Sequence, residues 1–242
     1  MDLIGKVALV TGSARRLGRA IALELARGGA DAALHYHRSA DQAGATRDAI
    51  AALGRRAEVF PADLADPRQI ESLFATLARS FGRLDVLVNN AAVYAPTPLE
   101  ALSAEQWDAH LAVNARAAAL CIRHAIPLMP AGGVVVNIAD SVAPHGRAGY
   151  AAYCASKGAL LALTRSAAIE LAGRNIRVNA VSPGLALWHD DATDAQRAAV
   201  LAEIPMRRPG APADVAAAVA FLVRGDYVTG QEIRVDGGWH ME

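Results

Sequence analysis

The chain has 242 residues, 53% of them apolar, 5% aromatic and 20% charged, with 24 Lys plus Arg against 24 Asp plus Glu. That length suits one open α/β domain over residues 1–242. The apolar content supports a large core and excludes a disordered chain, while the zero net charge gives no field to draw nucleic acid or an anionic membrane. Cys121 and Cys154 lack metal-ligand spacing, and neither a basic leader nor a run of about 18 apolar residues is present. These features predict a cytoplasmic protein without a metal site that acts on a small molecule.

Taken in chain order, short β-branched runs alternate with longer stretches of helical period, as in a βαβ series around a buried parallel sheet. Strands are predicted at 7–10, 32–35, 57–60, 84–88, 133–138, 176–181 and 232–235, and helices at 17–28, 40–53, 67–81, 104–129 and 150–171. Right-handed crossovers then give a single-domain, doubly wound Rossmann-type sheet with helices on both faces. Residues 183–210, broken by prolines and an acidic pair, read as a substrate-side loop or as an irregular surface excursion.

After the first strand, Thr11-Gly12-Ser13-Ala14-Arg15-Arg16-Leu17-Gly18 opens the first helix. Gly12 permits a tight turn, Gly18 permits close contact, and the helix N-terminus offers N–H groups to a pyrophosphate. The second strand is not followed by the acidic residue that grips a ribose 2′-hydroxyl. It is followed by His37-Arg38-Ser39, a cation and a hydroxyl suited to the 2′-phosphate of NADP(H), with Arg15 as a second cation. The alternative is that Arg38 is a solvated loop charge. Asp63-Leu64 after the third strand suits contact with an adenine ring. Asn89-Asn90-Ala91 after the fourth either lets a cofactor lie close to the backbone or forms an ordinary turn.

Tyr153-Cys154-Ala155-Ser156-Lys157 lies on the last predicted helix, where i, i+4 spacing sets the phenol and the ammonium on one face. A neighbouring ammonium favours phenolate and brings the Tyr153 proton toward a useful pKa, the expectation for an acid/base residue. Asp140, thirteen residues earlier, ends the fifth strand, where side chains of such sheets face the ligand crevice.

In this order Thr11-Gly12 through Gly18, Asn89-Asn90-Ala91, Asn114, Tyr153 with Lys157, Pro183-Gly184 and Asp236-Gly237-Gly238 resemble the motifs of the short-chain dehydrogenase/reductase superfamily. The resemblance implies hydride transfer to or from the nicotinamide, with Tyr153 as acid/base, Lys157 on the nicotinamide ribose and Asn114 anchoring a proton-relay water. Pro183 and Gly184 would lie at the cofactor, and a tetramer built through the long helices would be the assembly. Three departures, Arg16 at a usual glycine, Asp140 at the usual catalytic serine and His37-Arg38-Ser39 after the second strand, resemble the pteridine reductases. In that subgroup Arg16 would reach the phosphates and a pterin, Tyr94 would stack on the pterin ring, and Leu185 would line the substrate site. Ala92 and Ala186 depart from that pattern. Ser141 is the alternative occupant of the serine role, and reduction of a 3-oxoacyl thioester or another ketone, or a non-catalytic NADP-binding role, are the alternative functions.

Overall fold

The structure is a computed structural model that describes residues 1–188 and 192–240. Its strands are β1 (Val7–Val10), β2 (Asp31–Tyr36), β3 (Ala57–Pro61), β4 (Val86–Asn89), β5 (Val134–Ile138), β6 (Arg177–Pro183) and β7 (Glu232–Val235). All pair in parallel in one sheet of order β3-β2-β1-β4-β5-β6-β7. The order reverses between β1 and β4, which opens a crevice at their carboxyl ends where ligands bind in open α/β sheets.

Alternation along each strand divides the core in two. Ala8 and Val10 of β1, Val86 and Val88 of β4, and Val134 and Val136 of β5 face one side. There they meet α1 (Arg16–Arg27) and α8 (Pro212–Arg224), through Ile21, Leu25, Val219 and Leu222. Val7, Leu9, Leu87 and Val135 face the other side, against α3 (Pro67–Phe81), α5 (Ala117–Ala125) and α6 (Ala151–Leu171). The remaining helices are α2 (Ala40–Ala51), α4 (Ala104–Leu111) and α7 (Asp194–Glu203). Among the described residues no helix is long and apolar enough to cross a membrane.

The strands fall within two residues of the sequence-based ones at most ends. Two helical regions differ. Residues 104–129 do not form one helix: α4 runs into a π-helical turn, Ala112–Arg116, before α5 and a final 3₁₀ turn, Ile126–Leu128. Such insertions concentrate at functional sites, and this one carries Asn114. Residues 183–210 are not a loop throughout either, because α7 lies inside them, with Thr193 and Gln196 forming a capping box at its start. Residues 189–191, which hold the acidic pair of that segment, lie outside the described residues.

Candidate active site

The glycine turn is bound to the sheet by the side chains of Thr11, Asn90 and His35. Thr11 Oγ1 accepts the N–H of both Asn90 and Ala91, at 2.8 and 3.0 Å, and Asn90 Nδ2 donates back to the Thr11 carbonyl at 2.8 Å. These bonds join the ends of β1 and β4 at the crevice. His35, buried in β2, is the second clamp: Gly12 N–H donates to its Nδ1 at 3.0 Å, and its Nε2 lies 3.0 Å from the Ala62 carbonyl. A backbone N–H can only donate, so Nδ1 is bare and Nε2 carries the proton. Burial pushes the His35 pKa down to about 4, which keeps this neutral tautomer in place.

The turn has no room for side chains at its two glycines. A Cβ on Gly18 would lie 2.2 Å from the Gly12 carbonyl oxygen, and Gly12 has φ +64 with Ala91 Cα at 3.1 Å from a Cβ position. Arg16 also has a positive φ, +54, a conformation that costs a side-chain-bearing residue about 1–2 kcal/mol. Arg15 and Arg16 are exposed at the N-terminus of α1, Leu17 is half-buried, and Arg16 Nη2 reaches toward the Trp188 carbonyl at 3.5 Å.

At the neighbouring strand ends, Arg38 is exposed and Ser39 is the N-cap residue of α2, its hydroxyl making no cap bond within that helix. His37 Nε2 lies 3.9 Å from Asp63 Oδ2. Asp63 also accepts the Ala65 N–H through Oδ1, which shapes the turn after β3. This group has the cations, hydroxyl and helix terminus that a ribose phosphate needs. Leu64 packs into the core, which leaves Asp63 as the exposed side of that turn. Pro183 ends β6 opposite Val235. A Cβ on Gly184 would fall 2.6 Å from Asp236 Cβ, so only glycine lets these chain segments meet. Leu185 follows, half-buried, its carbonyl accepting the Gly210 N–H at 2.9 Å.

At the reaction end, Tyr153 Oη donates to Asp140 Oδ2 at 2.6 Å, and Lys157 Nζ donates to the Ile138 carbonyl at 2.6 Å. Asp140, not Ser141, therefore faces the phenol. Burial comes first and the Asp140 carboxylate second in driving the Tyr153 pKa well above its ordinary value. This corrects the expectation drawn from i, i+4 spacing, since the ammonium does not pull the phenol down. Burial lowers Lys157 to about 8, against a smaller opposing pull from Asp140.

Asn114 is held by three bonds. Its Oδ1 accepts the Val93 N–H at 2.7 Å, and its Nδ2 donates to the Val93 carbonyl and to Ser156 Oγ, both at 2.9 Å. Ser156 Oγ in turn donates to the Tyr153 carbonyl at 2.7 Å. The side chain of Asn114 thus braces the loop after β4 against the helix that carries Tyr153. Thr97 makes a second brace, its Oγ1 accepting the Ala152 N–H at 3.2 Å at the start of α6. Between these braces Tyr94 stacks on Tyr150, with ring centroids 4.7 Å apart at 19°, and meets Tyr153 edge-on at 4.7 Å.

Sequence reading missed Thr11, His35 and Thr97 as site-building residues, and also His240, whose Nδ1 lies 3.0 Å from Ser141 Oγ. Among the described residues no group of three metal-ligating side chains is present.

A family model described as enoyl-(acyl carrier protein) reductase matches residues 12–240. A 3-oxoacyl-[acyl-carrier-protein] reductase, FabG, of Staphylococcus aureus strain N315 is 38% identical over 242 residues, covering 98% of both proteins. A solved short-chain dehydrogenase of Burkholderia cenocepacia J2315, in complex with NADP, superposes with a TM-score of 0.93 and 39% identity over 99% of each chain. A blue fluorescent protein from a metagenomic library, in complex with NADPH, gives 0.93 and 38% over the whole of both chains. The chain belongs to the short-chain dehydrogenase/reductase superfamily. The staphylococcal relative bears the name of a ketone-reducing enzyme, so the finer likeness to pteridine reductases is not carried by it.

Proposed function

We propose that the protein is an NADPH-dependent reductase whose substrate is a pterin such as dihydrobiopterin, dihydrofolate or dihydromonapterin. The cofactor assignment is supported by the sterically closed glycine turn, by Arg38 and Ser39 at the start of α2, and by the NADP and NADPH complexes among the similar structures. When bound, NADPH supplies the hydride. The protein supplies the proton: Tyr153 O–H, kept protonated by burial and by Asp140, donates it to the substrate heteroatom. The phenolate left behind would stand beside a carboxylate, which favours its reprotonation between turnovers. Lys157, its pKa lowered by burial to about 8, would supply a proton to the relay and would hold the nicotinamide ribose. Asn114 would anchor the relay water, and Gly12, Arg15, Arg16, Gly18, His37, Asp63, Asn90, Ala91, Pro183 and Gly184 would line the cofactor.

The observation that carries the pterin reading is the 2.6 Å bond from Tyr153 to Asp140. A serine at that position donates to a ketone oxygen, whereas an ionised carboxylate only accepts and repels such an oxygen. A pterin edge presents N–H donors that a carboxylate can accept, and its reducible C=N takes hydride at carbon and the Tyr153 proton at nitrogen. Arg16, Leu185 and Tyr94 would complete the substrate wall, Tyr94 by offering a ring edge or face to a planar ligand.

A second reading, reduction of a 3-oxoacyl thioester, is favoured by the name of the staphylococcal relative. Dihydrobiopterin, dihydrofolate and an acetoacetyl thioester, each assayed with NADPH, separate the two. Turnover of the pterins, lost in Tyr153→Phe, is expected; turnover of the thioester alone would overturn the pterin reading. A homotetramer through α4–α5 and α6 is part of the proposal, supported by Ile169 of α6, which is 82% exposed. Light scattering giving a monomer mass would refute it.

A further inference from the structure

The chain after β7 turns back across the reaction end and is fixed there. Asp236 Oδ1 accepts the Gly238 N–H at 2.9 Å and its Oδ2 the His240 N–H at 3.2 Å, while Arg234 Nη1 donates to the His240 carbonyl at 2.6 Å. Trp239 Nε1 donates to Glu203 Oε2 at the end of α7, at 3.1 Å. The His240 ring stacks near His145 and Trp239, with centroids 4.9 and 5.0 Å away. Its Nδ1 meets Ser141 Oγ, the residue next to Asp140.

The tautomer follows from donor accounting. Ser141 is fully buried, and among the described residues its hydroxyl has His240 as its one side-chain hydrogen-bond partner. A buried hydroxyl donates where an acceptor is offered, and Asp236 Oδ2, 3.8 Å from the same Nδ1, lies beyond hydrogen-bond distance, so Ser141 O–H donates to Nδ1 and the His240 proton sits on Nε2. The ring therefore holds an N–H donor on the edge away from Ser141, and Ser141 is the chain neighbour of Asp140. The His240 side chain is 16% exposed. The mechanism does not use it.

We propose that His240 is a specificity-determining residue: its Nε2–H donates to an acceptor on the substrate, a carbonyl oxygen or ring nitrogen close to the reacting bond. Ser141 is the positioning residue that sets the ring. Together with Asp140, which accepts, His240 gives the site one fixed acceptor and one fixed donor. A substrate displaying both kinds of group near its reducible bond matches this pair, as a pterin does through its N–H groups and ring carbonyl. The inference rests on the reductase reading.

The test compares His240→Phe, which keeps a stacking ring without the donor, His240→Gln, which restores an N–H, and Ser141→Ala. Each is assayed with NADPH against dihydrobiopterin and an acetoacetyl thioester. For whichever substrate the unaltered enzyme reduces, loss of one neutral hydrogen bond should raise KM about 3- to 10-fold in His240→Phe. kcat should change less than KM, Gln should recover part of the loss, and Ser141→Ala should lie between. As a readout independent of turnover, the His240 imidazole ¹⁵N signals in the NADP⁺ complex should report protonated Nε2 and shift when substrate is added. Unchanged KM in His240→Phe, or ¹⁵N signals that substrate does not move, would overturn the role of His240 while leaving the reductase reading intact. Failure of the unaltered enzyme to reduce either substrate would overturn both.

Discussion

Acid should loosen the cofactor turn through one residue, His35. Its folded-state pKa lies near 4 against an ordinary 6.5, so the folded protein prefers the neutral ring that accepts from Gly12 and donates to Ala62. A depressed pKa of this kind contributes stability that is present above the unfolded value and is lost as pH falls through the folded one. The window therefore runs from 6.5 down to about 4. A shift of that size corresponds to roughly 3 kcal/mol, a large part of the stability of a typical domain. His35→Gln offers an acceptor and a donor to the same two partners but does not titrate. Urea unfolding of both proteins, at neutral pH and near pH 4, isolates the term, because carboxylates such as Glu58 and Asp66, with lowered pKa values, titrate equally in each. The unaltered protein should lose about 3 kcal/mol more than the variant over that range. Parallel losses would show that His35 is not the clamp described.

Lys157 is buried with its pKa lowered to about 8, so at neutral pH the fold bears the cost of a desolvated ammonium. Lys157→Met should abolish reduction yet raise unfolding stability by roughly 1–3 kcal/mol, measurable as a higher Tm in an inactive protein. Arg16→Gly should relieve the positive φ of that residue, leaving stability unchanged or raised by up to about 1 kcal/mol, while weakening the binding of NADPH or substrate by titration. Arg38→Asp should erase or reverse a preference for NADPH over NADH, a preference of about 10- to 150-fold for charge-assisted bonds to the 2′-phosphate. Equal use of both cofactors by the unaltered protein would refute that assignment.

The strands were legible in the sequence because β-branched runs such as Val134–Ile138 bury both faces and leave no other reading. So was the grouping of Asp140, Tyr153 and Lys157, since a strand end and a following helix place them regardless of detail. The π-helical turn within 104–129 was not legible, since no Gly or Pro marks residues 112–116 and only the packing of Asn114 against Val93 and Ser156 accompanies it, whereas Pro127 does mark the final 3₁₀ turn. α7 was legible in principle, as Thr193-Asp194-Ala195-Gln196 is a capping-box pattern, but the surrounding prolines suggested a loop. The pull of Lys157 on the Tyr153 pKa was over-read, because local spacing reveals the ammonium and conceals burial. The Ser141–His240 bond joins residues 99 apart, and no local pattern announces it.

The most direct test of the account is the substrate preference set by Asp140. In the unaltered enzyme kcat/KM with NADPH should be higher for dihydrobiopterin than for an acetoacetyl thioester. Asp140→Ser, which turns the acceptor facing Tyr153 into a donor, should reverse that order and alter the pH profile. An unaltered enzyme that prefers the thioester, with a preference and pH profile that Asp140→Ser leaves unchanged, would contradict it.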